Sequence, residues 1–144
     1  MAKLKIDWVI HCCRNGAPCA ECGKVETGYL KFACNAHTHG MERYNHPDFQ
    51  VVLNWPDNEI ARILNTFGLW VQEGKTFVSG DTVSGIYEDC DVRLEEFEET
   101  GRNVLRIIVP DKNNVFPSDK NCMYPYTLQT LPTDMLWSKG GENK

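Results

Sequence analysis

The chain has 144 residues, 42% of them hydrophobic and 24% charged, a composition that excludes collagen-like and intrinsically disordered classes. That length suits one core, burying about two-thirds of the surface the unfolded chain exposes. The formal net charge of -5 is unevenly spread, with six basic and four acidic groups in residues 1–45 and nine and sixteen in the remainder; such a surface repels phosphates, so nucleic acid is not an expected partner.

The opening Met-Ala-Lys-Leu-Lys-Ile-Asp has two lysines and no long apolar run, so a secretory signal is not expected. Nor does any stretch approach the roughly 20 apolar residues of a membrane span. A cytoplasmic location follows, in which the seven cysteines are thiols, metal ligands or small buried groups before they are disulfides. Residues 4–10 alternate loosely and are rich in Ile, Trp and Val, which predicts a first strand. Residues 11–23, with Gly16, Pro18 and four cysteines, read as a cysteine-rich loop. Tyr29, Leu30, Phe32 and Ala33 predict a second strand over 27–38, whose end delivers Cys34 and the following histidines to the rim of a sheet. Gly40 then lets the backbone turn.

Residues 49–53 (Phe-Gln-Val-Val-Leu) form a short β-branched run that predicts a buried strand. Pro56 is preset for a first helical turn, and Asp57 and Glu59 lie where the helix dipole favours carboxylates. Ile60, Ile63, Leu64 and Phe67 make one apolar helical stripe, and Gly68 is the expected C-terminal stop. Gly74, Gly80 and Gly85 punctuate short extended pieces at 76–78 and 82–87. Residues 91–99 and 103–109 predict a hairpin turning at Gly101. The acids of residues 88–99, seven against Arg93 alone, suit a solvated strand edge. Pro110, Pro117, Pro125 and Pro132 bar long elements thereafter. The expected architecture is a single α+β domain over residues 1–137, an antiparallel or mixed β-sheet with one main amphipathic helix packed on it, followed by a frayed tail at 138–144.

The densest chemistry lies at residues 34–48, Cys-Asn-Ala-His-Thr-His-Gly-Met-Glu-Arg-Tyr-Asn-His-Pro-Asp, with three of the four histidines. Cys19-Ala-Glu-Cys22-Gly is a Cys-x-x-Cys turn of the kind that wraps zinc, and Cys13, Cys34 and His37 are expected to complete a metal set, with His11 and Cys12 as further candidates. Free loop thiols and a redox pair are the competing readings. His37 and His39, two apart, share a face if extended; with His46 they form a candidate three-ligand catalytic site, against the plainer reading of backbone-bonded histidines. Cys34 beside a histidine would be a nucleophile and base, but no oxyanion donor is evident. Residues 80–85 (Gly-Asp-Thr-Val-Ser-Gly) lack the order of a phosphate loop and read as a turn. Asp111 and Lys112 stand at a strand end, where a ligand pocket can open or a simple Asp-initiated turn can form.

Thr38-His-Gly-Met, His46-Pro-Asp-Phe, Ile63-Leu-Asn65, Phe77-Val-Ser-Gly-Asp81 and Pro110-Asp-Lys-Asn-Asn-Val-Phe-Pro117, in that order, resemble bacterial domain-of-unknown-function family 4262, over roughly residues 33–122. The shared positions are Thr38, Gly40, His46, Pro47, Asp48, Gly80, Asp81, Pro110, Asp111, Phe116 and Pro117. Members usually show Tyr-Thr-x-Gly-Leu where this chain has His37-Thr-His-Gly-Met41, so His37 and His39 depart from the pattern. The resemblance implies a small bacterial α+β protein and supplies no activity.

These readings lead to a small-ligand-binding or accessory protein with a Cys/His-rich zinc site. Its ligand-binding residues are expected to be Thr38, His39, Gly40, His46, Asp48 and Asp111, with Asp48 fixing the His46 tautomer. The alternative is a metal-dependent hydrolase using His37, His39 and His46. Self-association through sheet edges is a third expectation.

Overall fold

The computed structural model describes residues 6–13, 33–99 and 101–133, apart from the side chains of Cys13 and Ala33. They form a mixed six-stranded sheet with one α-helix, the α+β arrangement expected from the sequence. In chain order the strands are β1 (Val9–Cys13), β2 (Ala33–His39), β3 (Asp48–Leu53), β4 (Thr82–Val83), β5 (Val92–Glu99) and β6 (Arg102–Ile108), and the helix α1 (Asp57–Gln72) follows β3. The spatial order is β1-β2-β3-β6-β5-β4. All pairings are antiparallel except β3 with β6, a parallel pair whose long crossover contains α1.

Alternation divides the sheet into two unlike faces. Cys34, Ala36, Phe49, Val51, Val92, Leu94, Leu105 and Ile107 pack with Ile60, Ile63, Leu64, Phe67 and Val71 of α1 in the main core. The opposite face carries Asn35, His37, Gln50, Arg106 and Glu99, all buried. Register sets five residues of that face in a row, with His11 opposite His37, His37 opposite Gln50, Gln50 opposite Arg106, and Arg106 opposite Glu95. A 3-10 turn at Tyr126–Thr130 and the chain to Thr133 supply this row with partners. The Arg106 guanidinium donates to the carbonyls of Gln129 and Leu131, to Gln50 Oε1 at 2.8 Å and to Thr133 Oγ1 at 3.2 Å, and lies 3.6 Å over the Phe97 ring. Burial lowers its pKa to about 9, against the pull of Glu95, which still leaves it charged at neutral pH.

Three local expectations are corrected. The first strand runs over Val9–Cys13, so His11, Cys12 and Cys13 belong to β1 and not to the loop; continuous pairing with β2 outweighs their weak strand composition. Gly68 does not stop the helix, which continues to Gln72 and ends before Gly74 at φ 110°. Gly68 serves close approach instead: a Cβ there would meet the Trp8 ring at 2.4 Å, and Trp8 Nε1 donates to Asn65 Oδ1 one turn earlier at 2.8 Å. The extended pieces at 76–78 and 82–87 reduce to the two-residue β4. The hairpin forms as expected, with Gly101 at φ 84°. Residues 14–32, which hold most of the cysteine-rich loop and the start of the expected second strand, lie outside the described residues, as do the domain limit at 137 and the tail at 138–144.

Candidate metal site

Antiparallel pairing of β1 with β2 places His11 directly opposite His37, and Val9 opposite His39. Residues two apart in a strand share a face, so three imidazoles converge at this edge of the polar face. Ring centroids are 4.4 Å apart for His11 and His39, 4.9 Å for His37 and His39, and 5.7 Å for His11 and His37. Each ring offers a nitrogen within 4.8 Å of the others, so the trio is placed to hold a metal ion. Tetrahedral nitrogens about 2.1 Å from a zinc ion lie roughly 3.4 Å apart, so a bound ion would draw the half-buried His11 and His39 inward from the 4.8 Å spread.

The polar row determines which nitrogen of His37 bears the proton. Arg106 can only donate, so the group it meets on Gln50 is the carbonyl Oε1, leaving Gln50 Nε2 to donate to Asn35 Oδ1 at 2.9 Å. Glu99 as a carboxylate can only accept, so the atom of Asn35 facing its Oε2 at 3.3 Å is the amide Nδ2. Asn35 therefore turns its oxygen to His37 Nδ1 at 2.9 Å, and that nitrogen donates. The lone pair is left on Nε2, and an acceptor behind the ring holds the imidazole in the orientation used by metal-ligating histidines.

Electrostatics keep His37 and His39 neutral. Burial pulls the His37 pKa down to about 3, with Glu99 pulling the other way, and burial followed by the Arg102 charge lowers His39. A neutral imidazole is the form that coordinates a cation. Glu99 adds negative charge, its Oε1 3.8 Å from His37 Nε2. Arg102 holds Glu99 by Nε at 3.1 Å, bonds the Asp48 carboxylate, and donates to the Thr38 carbonyl at 2.9 Å.

The other expected site residues separate from this cluster. His46 does not join His37 and His39. Its Nε2 accepts from the Phe77 N–H at 3.0 Å, its Nδ1 donates to the Pro47 carbonyl at 2.9 Å, and its ring stacks on Phe49. Phe49 faces α1, so His46 fastens the segment after the helix to the main core, on the other side of the sheet. Asp48 does not set its tautomer: one carboxylate oxygen accepts from Thr38 Oγ1 at 2.8 Å and the Met41 N–H at 3.0 Å, and the other meets Arg102. Gly40, at φ 128°, lies where a Cβ would be 3.1 Å from Trp8 Cβ. Thr38, Gly40, His46 and Asp48 are thus joints of the fold. Cys34 does not share a site with His37, because alternation turns it into the main core, where its thiol donates to the Leu53 carbonyl at 3.3 Å. Cys19, Cys22 and the Cys13 side chain lie outside the described residues. Asp111 accepts from the N–H groups of Asn113, Val115 and Met123 at 2.8–3.0 Å; burial would raise its pKa, but these three bonds outweigh it and the net shift is downward.

His11, Asn35 and Glu99 were not singled out by the sequence as one site. Spacing did carry half the signal, since Asn35, His37 and His39 follow one another at intervals of two. The other half is the long-range register with β1 and the closing end of the β5–β6 hairpin, which no local pattern encodes. No helix among the described residues is long and apolar enough to cross a membrane. Compared with family models, with curated proteins and with solved structures, the chain matches none.

Proposed function

We propose that the protein is a cytoplasmic, small-ligand-binding or accessory protein that holds a zinc-class divalent cation on His11, His37 and His39. The observation that carries this reading is the convergence of the three imidazoles, each with a nitrogen within 4.8 Å of the others. Nitrogen donors suit zinc and its neighbours in the first transition row, and three protein ligands leave one tetrahedral position for a small molecule or water. Kinship with domain-of-unknown-function family 4262 is part of the proposal. The shared positions Thr38, Gly40, His46 and Asp48 are joints of the fold, whereas the departures His37 and His39 supply the metal cluster, so the cation would be a property of this branch. The test is titration of chelator-stripped protein with zinc or cobalt(II). One equivalent is expected to bind. His11→Ala and His39→Ala, both at half-buried positions, should each weaken binding by more than the roughly 10–100-fold of an outer-shell change, and His46→Ala should leave it intact. Binding indifferent to both substitutions would refute the proposal.

One observation favours a second reading, a metal-dependent hydrolase. The Glu99 carboxylate, 3.8 Å from His37 Nε2, stands where it could take a proton from a metal-activated water. His11 then replaces His46 in the expected triad. Ester hydrolysis that is restored by zinc after stripping and lost in Glu99→Gln, with metal binding retained, is the expected behaviour of that enzyme.

A further inference from the structure

The parallel strands β3 and β6 both end at the sheet margin opposite to His39 and Asp48, and the chain beyond them encloses a cavity of about 250 Å³. Leu53 forms part of its lining and Trp55, Met123, Tyr124 and Tyr126 contribute most of the rest, so it presents ring faces and a thioether. Among the described residues, Met123 and Tyr124 are two of the few large apolar side chains that are exposed, at 45% and 36%. Exposed apolar surface gathered at a concavity is the usual mark of a binding site. The wall is held from behind: Asp111 accepts the Met123 N–H at 2.9 Å along with those of Asn113 and Val115, which fixes the loop that carries Met123 and Tyr124.

Charge narrows the ligand. Lys112 is the single charged residue of the lining, is exposed, and enters no ion pair among the described residues. It also lines an adjoining cavity of about 200 Å³, together with Trp55 and Tyr126 and the acids Asp89 and Asp111, so an anion is favoured on the first cavity's side of Lys112. A cavity of about 150 Å³ accommodates one benzene ring, so 250 Å³ takes a ring system with a small substituent. We infer that this cleft binds a planar aromatic carboxylate, its ring between Trp55, Tyr124 and Tyr126 and its anionic group at Lys112. This site is separate from the histidine cluster and independent of any metal there.

The test uses the labelled 144-residue chain and indole-3-carboxylate as probe, followed by amide chemical shifts, with the neutral carboxamide and the cationic indole-3-methylamine as matched arms. Saturable shifts are expected at residues 53–55, 112, 123, 124 and 126 at millimolar probe, unchanged by chelator. The carboxylate should bind about fivefold more tightly than the carboxamide, the upper end for a solvent-exposed ion pair. Lys112→Gln, at an exposed position that the fold does not need, should abolish that preference while the carboxamide still binds. The inference is overturned by the absence of saturable shifts in this region, by an amine that binds as well as the carboxylate, or by a preference that survives Lys112→Gln.

Discussion

Asn35 Oδ1 lies 2.9 Å from His37 Nδ1, and Asn35 cannot present its amide nitrogen there, because its two polar ends are claimed by Gln50 and by Glu99. The orientation of one imidazole is therefore fixed by a chain of donors and acceptors that begins at a buried arginine two strands away. Removing the asparagine should uncouple the ring from that chain. Asn35→Ala is expected to weaken zinc binding by about 10–100-fold, the usual cost of losing an outer-shell partner, with one equivalent still bound at saturation. Competition against a chromophoric chelator measures it; an unchanged affinity would mean that Asn35 only packs.

The same burial makes the metal-free fold sensitive to acid. In the unfolded chain His37 takes up a proton near the ordinary imidazole value of 6.5, whereas in the folded protein it stays neutral down to about 3. Between those values the unfolded state binds more protons, so stability is fully present above pH 6.5 and falls as the pH is lowered. From pH 6.5 to 5 the loss from His37 alone is about 2 kcal/mol, at 1.4 kcal/mol per unit of pKa difference. His39, lowered chiefly by the same cause, acts in the same direction. Urea titrations in chelator over this range should show the decline, and His37→Gln should flatten it. A stability independent of pH in that window would contradict a neutral buried His37.

Part of this arrangement was legible in the sequence. His-x-His on a strand places both rings on one face whatever the strand pairs with, and the stripe of Ile60, Ile63, Leu64 and Phe67 located α1 to within a turn. The pairing of His11 with His37 was not legible, because register is settled by contacts between distant segments. Nor was the second face. Arg106 stands inside an apolar run and reads as the one break in a buried strand, yet it is the centre of a satisfied polar layer whose partners come from Gln50 and from the turn after Pro125. His46, Thr38 and Asp48 looked like a site because polar groups gather at a strand end; the structure spends them on holding that end closed.

Arg106 is accordingly expected to tolerate almost nothing. Arg106→Met keeps volume but leaves the carbonyls of Gln129 and Leu131 and the Oε1 of Gln50 without their donor. Each buried polar group so stranded costs about 1–3 kcal/mol, so the total is on the order of 3 kcal/mol or more. Arg106→Lys should recover little of it, because a single ammonium cannot reproduce the planar fork. Equilibrium denaturation of both variants checks this, and a Lys variant close to wild type would show that charge alone is what the layer requires.

Gly68 offers a test of packing against intrinsic preference. In an exposed helix interior, replacing glycine by alanine stabilises by roughly 1 kcal/mol. Here a Cβ would stand 2.4 Å from Trp8 Cζ2 and 2.6 Å from Cε2, and the Trp8 ring is fixed by its bond to Asn65. Gly68→Ala should therefore destabilise, by about 1–3 kcal/mol as for other overpacked sites. With Trp8→Leu in the background the obstruction is gone, and the same substitution should become neutral or stabilising. The sign change is the decisive quantity in a double-mutant cycle: a Gly68→Ala penalty of the same size in both backgrounds would mean that the glycine answers to something other than Trp8.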